Sequence, residues 1–285
     1  MTIIKSNNKL LEGKHGKPVV IDYRYIPGDK KMPLLLYVHG FKGFKDWGYF
    51  NIMADYYAEK GFVVVKMNFS HNGTTPANPT EFVDLEAFGN NNFTKELDDI
   101  STVLDFICSS EFEIFNHIDY KNLYIKGHSR GGGTSVIKAS EDARINGLIT
   151  YAGINDFKFN YDETSLAFWQ EKNVIYVPNA RTNQNMPMYY QMAENVFENE
   201  ERLSIERASK TIDKPWLIIH GTNDETLPVS MAETFKSWNP RAELFIIEDA
   251  NHTFGGSHPY DNEKLPLHAQ IAIDRIASFI KERKK

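Results

Sequence analysis

A single cysteine stands among 285 residues, so no internal disulfide can form and the fold owes nothing to an oxidising compartment. Cys108 lies in the apolar-periodic segment ICSS and reads as a buried, inert thiol. No stretch approaches the roughly 20 consecutive apolar residues that span a bilayer, which excludes a membrane span. The opening MTIIKSNNKLLEGKHGK has neither the continuous apolar core nor the small-residue cleavage site of a secretory leader. The chain therefore reads as cytoplasmic, and the sequons at Asn68, Asn72, Asn92 and Asn251 carry no glycosylation meaning in that reading. Basic charge is also scarce: 32 Lys and Arg stand against 38 Asp and Glu, a net of -6 that offers no basic face to nucleic acid. There is no HExxH, no CxxC pair and no cluster of metal ligands, which excludes metal-assisted hydrolysis. GHSRGGGTS lacks the lysine of a phosphate loop, and no GxGxxG follows a strand, so neither a nucleotide nor a dinucleotide cofactor is implied. Internal repeats and low-complexity tracts are missing as well.

What the chain does have is apolar and aromatic material. Hydrophobic residues make up 41% and charged residues 25%, enough for a sizeable core in one large domain. The unusual figure is the aromatic fraction, 13%, with 14 Tyr and 19 Phe.

Short apolar runs alternate with amphipathic stretches, the pattern of a mostly parallel sheet flanked by helices. PLLLYVHG (33–40), GFVVVKMNF (61–69), NLYIKG (122–127), INGLITYAG (145–153), PWLIIHG (215–221) and ELFIIE (243–248) read as buried strands. PVVIDYRYI (18–26) alternates more and reads as an antiparallel edge. NIMADYYAEK forms a helix that stops at Gly61. KELDDISTVLDFI places Leu97, Ile100, Val103, Leu104 and Ile107 on one helical stripe, and LHAQIAIDRIASFIKERKK is an amphipathic C-terminal helix whose last lysines suit its dipole. The alternation breaks between about 155 and 210, too long for an ordinary connection. It contains helix-like patches such as MYYQMAENVFENEERLSIERASK and reads as a helical cap inserted into a single α/β domain spanning 1–285.

The strongest motif is Gly127-His128-Ser129-Arg130-Gly131, directly after the strand NLYIK and before a helix-competent GGTSVIKASED. Between a strand and a helix this pattern makes a sharp turn that holds the serine hydroxyl clear of the sheet. Serine is a poor nucleophile without a base. Asp224 in HGTND follows the strand PWLII and is the candidate acid; His252 in DANHTF follows ELFIIE and is the candidate base. The order Ser, Asp, His, each beyond a strand end, suits a relay in which His252 Nε2 takes the Ser129 proton and Asp224 holds the other ring nitrogen. Asp249, three residues before His252, is a rival acid; His258 is a second loop histidine suited to lining the entrance, and His268 falls in the C-terminal helix. An oxyanion site needs two backbone N–H groups: Arg130, after the nucleophile, and Phe41, in the turn His39-Gly40-Phe41, are the candidates.

Together, HGF, GHSRGG, HGTND and NHTF resemble the α/β-hydrolase superfamily of serine hydrolases over about Val19 to Ile280. HGFKGFKDWGYF and NFSHNGTT are similar to its dienelactone hydrolase-like and cinnamoyl-esterase-like branch. Where that branch carries a DFRGHG-S segment, this chain has Asn68-Phe69-Ser70-His71-Asn72-Gly73, a departure that weakens any transfer of feruloyl or cinnamoyl specificity. The resemblance implies Ser129, Asp224 and His252 as triad, Phe41 and Arg130 as oxyanion donors, and neither metal nor cofactor. The expected activity is hydrolysis of a small-molecule carboxylic ester through an acyl-enzyme. A thioesterase or aminopeptidase-like amide hydrolase uses the same groups, and a non-catalytic binding module is the reading from another class. Two aromatic concentrations flank the site, one from Phe41 to Phe50 and one in the cap. Phe44, Trp47, Trp169 and His128 are the candidate substrate-binding residues, suited to an apolar acyl or aryl group. Oligomeric state has no signature in the sequence.

Overall fold

In a computed structural model, residues 2–159 and 161–283 are described, and their apolar runs become seven strands of one eight-stranded sheet. In chain order the described strands and α-helices are β1 (Ile4–Leu11), β2 (Val19–Tyr25), β3 (Met32–Val38), α1 (Phe50–Glu59), β4 (Val63–Asn68), α2 (Leu85–Gly89), α3 (Phe93–Ile107), β5 (Ile118–His128), α4 (Arg130–Glu141), β6 (Gly147–Tyr151), α5 (Glu163–Lys172), β7 (Val174–Asn179), β8 (Gln184–Tyr189), α6 (Gln191–Glu198), α7 (Ile205–Thr211), β9 (Trp216–Gly221), α8 (Ser230–Trp238), β10 (Glu243–Ile247) and α9 (Leu267–Glu282). The sheet order is β1-β2-β4-β3-β5-β6-β9-β10. Every pairing from β4 to β10 is parallel, while β2 runs antiparallel to both β1 and β4.

Period-two geometry explains why the central strands are apolar on both faces. In β3, Leu34, Leu36 and Val38 face a layer containing Leu97, Ile100 and Leu104 of α3 and Val136 and Ile137 of α4. The alternate residues Leu35 and Tyr37 face Tyr57 of α1 and Ile273, Ile276 and Phe279 of α9. All five residues of the expected α3 stripe are fully buried. Gly61, just past α1, has φ +85, the left-handed conformation that ends a helix cheaply only at glycine. Lys281 lies in the last turn of α9; Lys284 and Lys285 fall outside the described residues.

Two elements differ from expectation. The antiparallel strand 19–25 is not the edge, because β1 pairs outside it through a register shift between Ser6 and Lys9. IKSNNKLL is polar and mostly exposed, so it lacks the strand signature. Between β6 and β9, α5 and α6 flank a two-stranded ribbon, β7-β8, that the sequence did not signal. Pro178 and Pro187 sit inside it, which a two-stranded ribbon tolerates where the missing N–H faces outward. The ribbon and α6 are tied to the segment around α2: Tyr189 Oη donates to Glu86 at 2.6 Å, and Gln191 Nε2 donates to the Asn91 carbonyl at 2.8 Å. Cys108, expected to be buried, caps α3 half-buried, and burial raises its thiol to about 11, which keeps it protonated and inert.

Candidate active site

The turn between β5 and α4 holds Ser129 at φ 55, ψ -123, a conformation that L residues rarely adopt. The glycine before it is required: a Cβ on Gly127 would sit 2.1 Å from the Gly131 carbonyl oxygen. The strained serine is clamped from both sides, its N–H donating to Tyr151 O at 3.0 Å and its carbonyl accepting from Gly132 and Ile154 at 2.9 and 3.1 Å.

Asp224 and His252 lie beyond the C-terminal ends of β9 and β10, which are parallel neighbours. The two loops are joined by Asn223 N–H donating to Ala250 O at 3.0 Å and Asp249 N–H donating to Thr222 Oγ1 at 2.8 Å. This brings the three expected residues together. His252 Nε2 is 3.0 Å from Ser129 Oγ, and His252 Nδ1 is 2.8 Å from Asp224 Oδ2. A carboxylate only accepts, so Nδ1 carries the proton and the Nε2 lone pair faces the serine hydroxyl. The Asp224 side chain is fully buried, with Oδ1 accepting from the N–H groups of Thr226 and Leu227 at 2.9 and 2.8 Å. Burial pushes its carboxyl up, but hydrogen bonds from His220 and His252, the charge of His252 and the Leu227 N–H outweigh it and hold the group well below the usual carboxylate range.

The rivals separate cleanly. Asp249 is exposed, its carboxylate accepting from Asn223 Nδ2 at 3.2 Å. His258 Nδ1 accepts from the Gly48 N–H at 2.9 Å, and its ring packs on Phe44 and Trp47. His268 stands on α9 and lines neither chamber described below. The residue the sequence reading missed is His220, fully buried on β9, whose Nε2 lies 3.1 Å from Asp224 Oδ2 and 2.9 Å from the Leu227 carbonyl. It is the first residue of HGTND, so the signal was present but read as part of a strand end.

At the opposite wall, the Gly40 carbonyl accepts from Gly43 N–H at 3.1 Å and from His39 Nδ1 at 2.9 Å. Burial lowers His39 to about 4, so the ring is neutral. Because a trans peptide points its C=O and N–H in opposite directions, this anchoring turns the Phe41 N–H away from the loop. Gly40 itself is pressed against Ser129: a Cβ there would lie 2.8 Å from Ser129 Cβ. Arg130 N–H opens α4 and, as the first N–H of the helix, has no acceptor within it. The Arg130 guanidinium turns aside to Glu96 at 2.6 Å and covers the Phe41 ring.

Two chambers meet at Ser129. The larger, of about 670 Å³, is walled by Phe41, Phe93, Phe157, Trp169, Met188 and other apolar side chains; among the described residues its one charged lining residue is Arg130. The smaller, of about 290 Å³, is lined by His252 and by Trp47, His128, Arg181 and His258 among others. Of the expected substrate-binding residues, Trp169 lines the first chamber and Trp47 and His128 the second. His128 also holds His252 in place, its Nε2–H donating to the His252 carbonyl at 2.9 Å; burial lowers it to about 3, so it stays neutral. Phe44 reaches neither chamber. It is fully buried beneath the loop against Phe82, Phe88 and Met186, where turning it outward would empty that cluster.

Among the described residues, no group of three or more His, Cys, Asp or Glu is placed to hold a metal ion, and no helix is long and apolar enough to cross a membrane.

Comparison with known proteins agrees with this architecture. Esterase Est1E from Butyrivibrio proteoclasticus, with ferulic acid bound, superposes with a TM-score of 0.73 at 17% identity, covering 96% of this chain and 98% of that one. A putative dienelactone hydrolase from Klebsiella pneumoniae gives 0.62 at 14% identity, over 99% and 100% of the two chains. The acylaminoacyl peptidase of Pyrococcus horikoshii gives 0.66 at 18% identity, over 99% of this chain and 42% of that one. These likenesses establish the α/β-hydrolase fold. No curated protein matches the chain in sequence. The sequence profile of the prolyl oligopeptidase family matches residues 48–269, a span that contains the elbow serine and both later loops, and the chain therefore belongs to the prolyl oligopeptidase family.

Proposed function

We propose that this chain is a serine hydrolase that cleaves carboxylic esters of apolar acyl or aryl acids. The observation that carries the reading is the unbroken line from Asp224 Oδ2 through His252 to Ser129 Oγ, with contacts of 2.8 and 3.0 Å. In this reading Ser129 Oγ attacks the acyl carbon while its proton passes to His252 Nε2, and Asp224 stabilises the resulting imidazolium. The oxyanion takes hydrogen bonds from the N–H groups of Phe41 and Arg130. Collapse of the tetrahedral intermediate breaks the bond to the leaving group, which takes the proton back from His252. Water, deprotonated by the same nitrogen, then releases the acid and restores the serine. The apolar 670 Å³ chamber is the seat of the acyl or aryl group, covered by the segment between β6 and β9 acting as a cap.

Amide cleavage on the same groups is the second reading, favoured by the family match over residues 48–269. A fluorophosphonate probe must label the wild-type protein and leave Ser129→Ala unlabelled; equal behaviour of the two would end the catalytic reading. A panel of p-nitrophenyl esters, acyl-CoA thioesters and aminoacyl anilides then ranks the substrates. Preference for anilides over every ester would transfer the assignment to peptide or amide hydrolysis.

A further inference from the structure

The two chambers at Ser129 differ in chemistry, and His252 lines only the smaller one. The base that takes the serine proton must return it to the departing atom, so the leaving group lies on the side where His252 is exposed. That assigns the smaller chamber to the leaving group, on the proposed reading of Ser129 and His252 as nucleophile and base.

The wall of this chamber is one-sided in charge. Lys42 and Arg181 line it, and no Asp or Glu does among the described residues. Neither cation forms an ion pair with a described carboxylate. Lys42 Nζ donates to the Pro178 carbonyl at 3.0 Å, and the Arg181 guanidinium lies over the rings of Phe44 and Phe82 at 5.5 and 5.6 Å. Glu81 acts on Arg181 through space without an ion pair. The contact with these two rings supplies no hydrogen-bond acceptor, so the guanidinium N–H donors remain available. Asn179, only 7% exposed, also lines the chamber, and its Nδ2 has no hydrogen-bond partner among the described residues. A buried amide left without an acceptor is costly, which makes it a donor in want of a ligand. His258 adds a further donor, because Nδ1 accepts from Gly48 and a neutral ring must then carry its proton on Nε2. Asn179 and Arg181 both come from the β7-β8 ribbon and its turn, so the ribbon that roofs the site also brings the donors.

We infer that the smaller chamber receives the leaving group of the substrate and that this leaving group carries a carboxylate, bound by Arg181 with Lys42 and Asn179 beside it. The planar fork of Arg181 matches the two oxygens of a carboxylate. The preferred substrate is then an ester in which an apolar acid is joined to a hydroxy acid through the hydroxyl.

The test compares 4-butanoyloxybenzoate with methyl 4-butanoyloxybenzoate, which share an acyl group and differ in the charge of the leaving group. The ratio of kcat/KM for the anionic over the neutral ester cancels the acyl side, and its change on mutation cancels the intrinsic reactivity of the two phenols. Arg181→Gln should lower that ratio about tenfold or more, the loss expected when a charge-assisted hydrogen bond is removed, and added salt should lower it in the wild type. Lys42→Gln should lower it less. A ratio that stays within about twofold in both variants, with both esters turned over, overturns the inference and leaves the hydrolase reading standing. Calorimetric titration with 4-hydroxybenzoate separates the reverse case. If neither ester is cleaved but the wild type binds this carboxylate and Arg181→Gln does not, the subsite stands and the esterase reading falls. Turnover of neither ester with no binding overturns the subsite.

Discussion

His220 Nε2 lies 3.1 Å from Asp224 Oδ2, the same oxygen that meets His252 Nδ1 at 2.8 Å. One carboxylate oxygen thus serves two imidazoles, one from inside the sheet and one from the loop beyond it. Carboxylate and carbonyl are both acceptors, so His220 shares its Nε2–H between Asp224 and the Leu227 carbonyl. That bond ties the loop bearing Asp224 to β9 and holds the carboxylate from the side opposite His252.

On the proposed reading His220 is a positioning residue, and His220→Phe tests that by keeping a planar ring while withdrawing the N–H. With one donor fewer, the Asp224 carboxylate becomes more basic and holds the His252 proton more firmly. Turnover of a p-nitrophenyl ester falls about tenfold with KM little changed, the cost of one hydrogen bond to a charged group. The acidic limb of the kcat profile moves to higher pH. A purely structural role would lower Tm and leave that limb in place, so superposable pH profiles would refute the assignment.

Asp224→Asn has a sharper consequence. The amide can present N–H to His252 Nδ1, which turns the ring to the wrong tautomer and removes the fixed anion. A loss of about 10⁴-fold in kcat is expected, with the fold intact by circular dichroism. Asp249→Asn, at an exposed carboxylate that touches Asn223 rather than His252, is expected to leave kcat within about twofold of the wild type. Reversal of the two results would move the acid role to Asp249.

The contrast between these positions also shows what the sequence could carry. The convergence of Ser129, Asp224 and His252 was legible because each follows a strand whose apolar run is unmistakable, and because strand ends, not side-chain chemistry, determine where the loops converge. The placement of Phe41 and Arg130 beside Ser129 was legible for the same reason. The ribbon β7-β8 was not: its prolines and polar turn hide a pairing set by contact with α2, as in Tyr189 against Glu86. Phe44 was misplaced because an aromatic beside a functional turn looks the same in sequence whether it faces the chamber or the core. The inward direction comes from Phe82, Phe88 and Met186, distant in the chain.

Phe44 and Phe168 therefore make an informative pair. Phe44 is fully buried, whereas Phe168 is 54% exposed and lines the larger chamber. Phe44→Ala should cost about 3–5 kcal/mol in denaturant unfolding, as for other fully enclosed rings, and leave the ranking of acyl chains unchanged. Phe168→Ala should leave stability within about 0.5 kcal/mol, since surface positions seldom exceed that. It should lower the preference for long over short acyl chains roughly three- to tenfold through lost apolar contact. Unchanged chain-length preference in Phe168→Ala would remove the larger chamber from acyl recognition.

Lys126, three residues before Ser129, provides a test of the strand beneath it. Its ammonium is enclosed by aromatic rings, 4.2 Å from that of Tyr151 and 5.2 Å from that of Tyr37, with Met53 Sδ at 3.3 Å and no ion pair to a described carboxylate. Burial pulls the amine down to about 7, against about 10.4 in an unfolded chain. Above the unfolded value both states are neutral and the site costs nothing. Between about 10.4 and 7 the unfolded chain binds a proton that the folded one lacks, so stability falls as the pH is lowered; below about 7 both states are charged and the penalty is constant. Lys126→Met fills the same volume without the charge. Its gain in Tm over the wild type should be largest at pH 6 and shrink steadily toward pH 10, measured by calorimetry on the two proteins side by side. A gain independent of pH would mean that packing alone, not the buried amine, separates them.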